Sequence, residues 1–457
     1  MATYQSLGIG SGLDLNTLVA QLVAAERAPK QQQITKQQSK VAVELSAIGT
    51  LKGALSAFQG AASALKLPTS FNVFAAKSSN EEVFTVSAGE LAPPGDYDVE
   101  VASIATAEQI SSRAFANGET TIGTGTLTIS VGEQSFTVEI GEDSATLKGI
   151  RDAINRASDN TGVRATIVNG TDGAHLVLTS QKTGEANRLT VTTSGAGLDV
   201  LAYSEEAPNE YTQIRAAQDA IIYIAGTEHR SASNTVTGAI EGVTLNLVKA
   251  DVGNVHSLTI ARNIDTLVTR VNTFVTQFNS LAGVMASQQS YEPTTKTAGA
   301  LLGDPLLRGI ESSLRRELSR PIEGASPPYN TLSSIGITVK VDGKLELDQT
   351  KLRQALETDF AAVQRLFSGE DGIAMRIDKA LSPHLASDGS LAQRNETLNS
   401  RNKKLEDDLA ALDARMAVIE QRYIKQFTAL DALLAQLQTQ SNYLAQQLAN
   451  LPKAGRD

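Results

Sequence analysis

The C-terminal part of the chain has the most regular pattern in the sequence. Residues 405–451 read LEDDLAALDARMAVIEQRYIKQFTALDALLAQLQTQSNYLAQQLANL. One row of apolar residues recurs every seven positions: Leu409, Met416, Tyr423, Leu430, Leu437, Leu444 and Leu451. A second row shifts by one place after its fifth member: Leu391, Leu398, Leu405, Leu412, Ile419, Phe427, Leu434 and Leu448. Heptad spacing over about 60 residues predicts a coiled coil or multi-helix bundle rather than an amphipathic helix on a globular core, and the shift is typical of local unwinding.

The N-terminal part has a related helical pattern. Asp14 is a candidate N-cap, and the residues after it form one apolar face up to Pro29: Leu15, Leu18, Val19, Leu22 and Val23. After a glutamine-rich stretch, apolar residues again recur every seven positions: Ile34, Val41, Ile48, Leu55 and Ala62. This pattern ends at Pro68, and the three glycines within it each weaken a helix by about 1 kcal/mol. The predicted helix therefore needs a packing partner.

Between these helical ends the apolar period changes to two. Residues 127–131 alternate with 136–140 around a short turn, and 163–167 with 176–178 around a longer one, so each pair predicts a β-hairpin. A short helix is expected between the hairpins, at 147–154. Strand-like runs flank this ββαββ unit on both sides: 83–86, 97–104, 220–225, 243–248 and 257–260. The simplest arrangement is one β domain inserted in another.

Helical pattern resumes at Ile264, and further helices are predicted near 306–318 and 350–367, with a β-hairpin at 336–347 between them. The predicted fold is α+β and multidomain: terminal helices form a coiled coil or helical bundle, and two nested, mainly antiparallel β domains are inserted between them. The predicted parts are terminal segments at 1–40 and 415–457, a helical domain at 41–72 and 262–414, a β domain at 73–114 and 215–261, and an outer β domain at 115–214.

Composition disfavours several functional classes. The 457 residues are enough for about three domains. A net charge of −10 and a pI of about 5.1 argue against nucleic acid as a partner. The chain has no Cys, which excludes thiolate chemistry. It has only four His, which are far apart in sequence, so a metal site built from several histidines is not expected.

Motifs for catalysis and for membrane insertion are missing as well. The phosphate-loop and nucleophile-elbow motifs do not occur, and residues 8–12 lack the spacing and preceding strand of a dinucleotide-binding loop. We predict that the chain has no catalytic residues, no cofactor and no metal ligands, and therefore that it is not an enzyme. No apolar run reaches the 18 residues that span a bilayer, and the start lacks signal-peptide features, so no membrane insertion is expected. Among the classes considered, a protein that functions by binding other proteins agrees best with the sequence.

Motifs along most of the chain occur together in one order. The N-terminal ones are Gly8–Ile9–Gly10–Ser11–Gly12–Leu13–Asp14, Leu18–Val19 and Glu26–Arg27–Ala28–Pro29–Lys30. Later ones include Glu241–Gly242–Val243–Thr244–Leu245, Gly299–Leu302–Gly303–Asp304, Gln426–Phe427–Thr428–Ala429–Leu430 and Gln440–Ser441–Asn442–Tyr443–Leu444. Together they resemble the flagellar filament cap family (FliD, or hook-associated protein 2). The stretch 123–178 is similar to a repeat module of flagellins and cap proteins. Relatives commonly have Met–Asn where this chain has Gln438–Thr439.

The resemblance implies a function and a set of partners. Cap proteins form a ring, here expected to have five or six copies, at the distal end of the growing filament, where they retain exported flagellin and promote its folding and polymerisation. The resemblance also implies hook–filament junction proteins and a cytoplasmic export chaperone as partners. Export through the flagellar type III system, without a cleaved signal peptide, would bring the chain to an extracellular site at the flagellar tip.

The contacts with the filament and between copies are predicted on the two terminal helical stripes. The candidate residues are Leu15, Leu18, Leu22, Leu430, Leu437, Leu444 and Leu448. Apolar stripes flanked by Gln suit loose and exchangeable helix contacts, because many weak contacts together can hold a subunit that each alone would release.

Three alternatives stay open at the level of the sequence. Flagellin itself or another hook–filament junction protein is the nearest in structural class. An adhesin that binds host mucus or surface glycans through the acidic β domains is the second. An enzyme on the variable β insert is the third.

Overall fold

The computed structural model of the protein describes residues 14–205, 210–322 and 328–449. The chain divides into two compact units: a helical unit of residues 1–68 and 268–457, and a β unit of residues 69–267. Two predicted features lie outside the described residues, namely the glycine-rich motif up to Leu13 and the last member of the first heptad row, Leu451.

The described residues form the following helices and strands. The α-helices are α1 (Leu15–Ser63), α2 (Leu147–Arg156), α3 (Ile264–Gln289), α4 (Pro305–Ser319), α5 (Gln349–Thr358), α6 (Phe360–Phe367), α7 (Ile373–Leu385) and α8 (Ser390–Ala449). The β-strands are β1 (Phe74–Ser78), β2 (Phe84–Ala88), β3 (Gly95–Ser103), β4 (Ala107–Ser111), β5 (Thr124–Val131), β6 (Gln134–Ile140), β7 (Val163–Asn169), β8 (Ala174–Thr183), β9 (Leu189–Ala196), β10 (Thr212–Arg215), β11 (Ala220–Ile224), β12 (Thr227–Ser231), β13 (Thr235–Thr237), β14 (Val243–Leu247), β15 (His256–Arg262), β16 (Tyr291–Glu292), β17 (Thr297–Ala298), β18 (Ile337–Val339) and β19 (Leu345–Leu347).

Helix α1 is longer than the sequence predicted. Its first turn is capped by Asp14, whose carboxylate accepts a hydrogen bond from the Thr17 amide (3.1 Å). The helix continues through Pro29, where an end had been expected. Proline removes one backbone donor from the helix, and α1 nevertheless continues through it and pairs with α8 on both sides, at Arg27 and at Glu44. The predicted heptad row from Ile34 to Ala62 is buried at all five positions.

Aromatic rings form the centre of the helical unit. The ring of Phe58 in α1 lies 5.1 Å from that of Phe274 and 5.4 Å from that of Phe278, both in α3. The ring of Phe367 in α6 packs edge-on to Phe274 at 6.0 Å. These contacts join one end of α1 to helices far away in sequence.

The later elements of the helical unit follow the predicted order with one difference. The helix expected near 306–318 is α4, and the hairpin expected at 336–347 is formed by β18 and β19. The single helix expected at 350–367 is instead two helices, α5 and α6. Asp359 separates them, because its carboxylate accepts a hydrogen bond from the Ala362 amide (2.9 Å) and so caps a new helix.

The β unit has two parts, which we call the inner part (strands β1–β3 and β11–β15) and the outer part (strands β4–β10). The inner part contains a five-stranded antiparallel sheet, β1-β15-β3-β11-β12, and a three-stranded one, β13-β14-β2. One apolar core lies between their strands and includes Phe84, Val99, Ile222, Leu245 and Leu258. All five predicted strand-like runs are strands here. Because β3 pairs with β11 and β15, the two flanks of the insertion meet in one sheet, as a nested arrangement requires.

The outer part has a separate core and two further sheets, β10-β4-β8-β7 and β6-β5-β9. The predicted hairpins are β5–β6 and β7–β8, with α2 between them. Strand β4 precedes residue 115, the predicted start of the outer domain, and yet it pairs with β8; the domain boundaries themselves stay predictions. At Gly125 (φ +140°) a Cβ atom would lie 2.0 Å from the Ser194 carbonyl oxygen, so only glycine allows β5 and β9 to come this close.

Helix α1 also differs from the sequence prediction in its hydropathy. An 18-residue stretch of it has a mean hydropathy of 1.3, so by length and composition alone this helix could cross a membrane. The sequence had predicted no such stretch, because no uninterrupted apolar run occurs and alanine raises the average. One such helix is weak support for a membrane span, since long helices of bundles share its length and composition.

Candidate assembly interface

Helices α1 and α8 run antiparallel. Near one end of the pair, Arg27 Nη2 donates a hydrogen bond to Asp413 Oδ1 (2.5 Å). Toward the other end, Arg394 Nη2 lies 3.8 Å from Glu44 Oε2. Rising residue numbers in α1 therefore meet falling numbers in α8, and these polar pairs lie beside an apolar seam.

The first part of α8 supplies the buried side of this seam. Its buried apolar residues are Leu391, Leu398, Leu405, Leu412, Met416 and Ile419. Five of these belong to the second heptad row of the sequence, and Met416 belongs to the first. Tyr423 is half-buried, and its hydroxyl donates to Glu26 Oε2 (3.3 Å). We call residues 391–419 the covered segment of α8.

Beyond Tyr423 the apolar residues of α8 become progressively less covered, and Ile424 and Phe427 are still half-buried. Between Ile419 and Leu448, the described side chains include no buried apolar one. We call the exposed row on this part of α8 the leucine stripe, and its members are Leu430 (47% exposed), Leu434 (36%), Leu437 (51%), Leu444 (59%) and Leu448 (68%). Four of these five were predicted as contact residues from the sequence.

The three contact residues predicted in α1 have different environments. Leu15 is 3% exposed and belongs to the interior, whereas Leu18 is 38% exposed and Leu22 is 37% exposed. The structure therefore brings Leu18 and Leu22 to the surface together with the predicted leucines of α8. Leu15 has the burial of a core residue, which periodicity alone does not reveal.

The leucine stripe is electrically neutral over most of its length. Residues 432–449 contain no Asp, Glu, Lys, Arg or His, and the polar side chains between the leucines are Gln, Ser, Thr, Asn and Tyr. From Leu430 to Leu448 the stripe extends about 27 Å at 1.5 Å per residue. A contiguous exposed apolar surface of this kind is typical of a site that binds another molecule.

The covered segment begins beside a titratable group. His384 in α7 has its Nδ1 atom 2.8 Å from the hydroxyl of Ser390, the first residue of α8. Burial lowers the pKa of His384 from its ordinary value of 6.5. The two ends of α8 therefore differ in their expected response to pH.

Glu108, a buried carboxylate in the outer part of the β unit, was missed by sequence reasoning. It is 1% exposed, and it accepts hydrogen bonds from the Leu189 amide (2.5 Å), the Tyr203 hydroxyl (2.9 Å) and the Gln213 side chain (2.8 Å). Burial and the carboxylate raise the pKa of Tyr203. Because protein donors reach both oxygens, Glu108 joins distant strands rather than offering a free base. No local pattern in the sequence marks it.

A second missed residue, Arg376 in α7, is 8% exposed. Its Nη2 atom donates to the carbonyl oxygens of Glu317 (3.1 Å) and Arg320 (2.9 Å), at the end of α4. The guanidinium of Arg376 donates hydrogen bonds to carbonyl groups at the end of α4 that have no partner within the helix. Its positive charge also interacts favourably with the negative end of the helix dipole. Both charged groups thus support the fold. In the ranges that the structure describes, no cluster of three or more His, Asp or Glu side chains could hold a metal ion.

Family models match most of the chain. The model described as flagellar hook-associated protein 2 N-terminus matches residues 11–108, the corresponding C-terminus model matches 217–439, and the flagellin hook IN motif matches 126–182. A B-type flagellar hook-associated protein 2 from Pseudomonas aeruginosa is 33% identical over 467 residues, covering 98% of this chain and 98% of that relative. The chain belongs to the flagellar hook-associated protein 2 family.

Other hook-associated protein 2 relatives agree. The flagellar hook-associated protein 2 of Escherichia coli K12 is 36% identical over 470 residues, covering 98% of this chain and 99% of that protein. The crystal structure of the D1-D2-D3 domains of the flagellar cap protein FliD from Escherichia coli matches with a TM-score of 0.66 and 33% identity, covering 77% of this chain and 99% of that one. The family resemblance and the α+β multidomain fold predicted from the sequence are confirmed. The matches favour a structural cap protein over the adhesin alternative.

Proposed function

We propose that this chain caps the distal end of the bacterial flagellar filament, outside the cell. Several copies form a ring of five or six subunits, which retains exported flagellin and promotes its folding and polymerisation. Membership in the flagellar hook-associated protein 2 family supports the capping role, and the flagellin hook IN motif supports flagellar partners. A head-to-tail interface between identical copies closes into a ring when the rotation per copy permits.

The observation that carries the filament-contact part of this proposal is the exposed leucine stripe of α8, which has no charged residue from position 432 onward. We assign contact with the filament end to the terminal segments, 1–40 and 415–457, and to six of the seven leucines predicted there. The seventh, Leu15, is buried and has no exposed surface for this contact. The helical domain at 41–72 and 262–414 carries these segments. The β domains, at 73–114 with 215–261 and at 115–214, supply the solvent-facing surface of the ring.

The strength of the contact follows from its chemistry. Full burial of one exposed leucine contributes about 1.5–3 kcal/mol, and much of the sum from one chain is offset by the entropy of association. Binding through a single copy is therefore weak. Several copies in one ring act together, so the ring stays attached while single contacts open and close.

Further partners belong to the same proposal. The chain interacts with hook–filament junction proteins, and with an export chaperone in the cytoplasm before the flagellar type III system exports it without a cleaved signal peptide. It uses no cofactor, catalyses no reaction, binds no nucleic acid and inserts in no membrane.

The test uses cells that lack this gene. Flagellin is measured in the medium and in assembled filaments, with and without added purified protein. Wild-type protein should shift flagellin from the medium into filaments, whereas the fourfold variant Leu430→Gln, Leu437→Gln, Leu444→Gln and Leu448→Gln should not. The matched control carries Ala432→Gln, Thr439→Gln and Asn442→Gln on the opposite face of the same helix. A chain truncated at about residue 415 should fold and fail to cap.

The outcomes separate capping from contact. Filaments that grow normally without the protein would contradict the capping role. If the fourfold variant restores filaments as well as the control does, capping stands but the assignment of the leucine stripe is wrong. Because all four leucines are exposed, thermal unfolding of the fourfold variant should match that of wild type, and this excludes misfolding as the cause of a loss.

A further inference from the structure

The leucine stripe continues the apolar side of the covered segment. Leu412 and Leu430 are eighteen residues apart, which is five turns of an α-helix, so they lie on the same side of α8. Helix α1 covers this side at Leu412 and leaves it open at Leu430. Since the covered portion is packed by a helix, the same surface geometry farther along fits another helix.

Within the proposed function, the occupant of the stripe is an amphipathic helix of a partner, and charge pairs along the stripe do not select it. Residues 432–449 have no charged group that could pair with a charged helix, whereas the covered segment pairs Asp413 with Arg27. Within the proposed function, the molecule that meets the stripe is a flagellin subunit at the filament end.

One position in the row is polar. The apolar row advances by alternating steps of four and three residues, through positions 430, 434, 437, 441, 444 and 448, and position 441 is Ser441. This is the spacing of the a and d positions of a coiled coil. Ser441 is exposed, like the leucines before and after it in the row. A helix that binds the stripe therefore covers a hydroxyl at the centre of an otherwise leucine-lined seam.

We propose that Ser441 limits the affinity of α8 for this helix and so keeps the contact exchangeable. This inference rests on the proposed function. A hydroxyl in an apolar seam loses water on binding and contributes far less than a leucine in its place. The proposed function requires single contacts that open and close while the ring stays attached to the filament end. A complete leucine row would keep each contact closed for longer.

The test compares full-length variants at two positions of the same helix. Ser441→Leu completes the row. Thr439→Leu adds the same side chain about 160° around the helix and serves as the matched control. Fluorescently labelled protein is bound to isolated filaments, and its dissociation is followed after dilution with unlabelled protein. The elongation rate of capped filaments is measured with purified flagellin in excess.

Ser441→Leu should dissociate at least about tenfold more slowly than wild type, and its filaments should elongate more slowly. Ser441→Ala should lie between the two, and Thr439→Leu should match wild type. Equal dissociation of Ser441→Leu and Thr439→Leu would overturn the inference. The proposed function would survive that result if the fourfold leucine-to-glutamine variant still fails to cap. The same dissociation is also followed between two copies of the chain in the absence of flagellin. If Ser441→Leu slows that dissociation and not dissociation from filaments, the occupant is a second copy of the chain, and the inference is overturned.

Discussion

The covered segment and the leucine stripe of α8 share a heptad pattern and have opposite environments. Leu391 and Leu398 are 1% and 3% exposed, whereas Leu437 and Leu444 are 51% and 59% exposed. The difference lies in the partner, because α1 packs against the first part of α8. Apolar periodicity thus predicts that a helix face will be covered, and it does not predict whether the same chain or another molecule covers it.

The flanks of the two regions differ as well. The covered segment carries charged residues that pair with α1, such as Asp413 with Arg27, and it begins beside His384. The leucine stripe has neutral flanks from residue 432 onward. Charged flanks select one partner in one orientation, whereas neutral flanks accept any helix with a suitable apolar face. The intramolecular contact is therefore specific, and the proposed intermolecular contact is permissive.

The largest expected difference between the two regions is in stability. Leu398→Ala in the covered segment should lower the free energy of unfolding of the helical unit by about 2–5 kcal/mol, because it removes buried apolar contacts and leaves a cavity. Leu444→Ala in the leucine stripe is the matched control and should change it by no more than about 0.5 kcal/mol. Urea denaturation followed by helical circular dichroism measures both. A similar loss of unfolding free energy in the two variants would contradict the claim that the covered segment is packed and the leucine stripe is not.

A smaller difference is expected in the response to pH. Because burial lowers the pKa of His384 in the folded chain below its ordinary value of 6.5, the unfolded chain binds this proton more readily. The stability that depends on neutral His384 is complete above about pH 6.5 and is lost as the pH falls through the lower folded-state pKa. Binding of the stripe to filaments should not change between about pH 5 and 8, since residues 432–449 contain no His or carboxylate.

The pH effect is measured as the melting temperature of the helical unit for wild type and for His384→Gln. The variant should lose less stability on acidification than wild type, and the difference between them removes the contribution of the other three histidines. Parallel curves for the two proteins would show that His384 does not titrate as described.

The smallest difference is expected in the response to salt. Asp413→Asn breaks the pair with Arg27, whose side chain is 37% exposed while that of Asp413 is 52% exposed, so the loss should be under about 1 kcal/mol and should shrink as salt is added. Apolar binding by the leucine stripe should not weaken with salt. Melting temperature and filament binding at low and high ionic strength test the two statements. Filament binding that falls with salt would assign the contact to charged residues instead.

Local patterns in the sequence predicted the individual helices and hairpins of this molecule, but they did not predict how elements distant in sequence pair with one another. The helical ends, α2 and the hairpins β5–β6 and β7–β8 follow from periods and turns within short stretches. The sequence did not reveal that these two hairpins belong to different sheets, because strand pairing across the insertion is not encoded locally. Glu108 is a similar case, since its hydrogen-bond partners at 189, 203 and 213 come from separate elements.

For the candidate site, periodicity identified the leucines and only the structure distinguished their environments. Leu15 and Leu22 belong to one predicted apolar face, and yet Leu15 is 3% exposed and Leu22 is 37% exposed. The same holds for Leu405 and Leu448 in the second heptad row of α8, which are 6% and 68% exposed. Burial depends on what the chain places opposite a residue, and a heptad row contains no information about that.

The most direct test of the central claim is a spectroscopic measurement at the stripe itself. The chain has no Cys, so Leu437→Cys gives a unique site for an environment-sensitive fluorophore. Lys403→Cys gives a matched site at an exposed position within the covered segment. When filaments are added, we expect the fluorophore emission at position 437 to shift to shorter wavelength and the emission at position 403 to stay unchanged. Binding to filament ends without any shift at position 437 would contradict the claim that the leucine stripe contacts the filament.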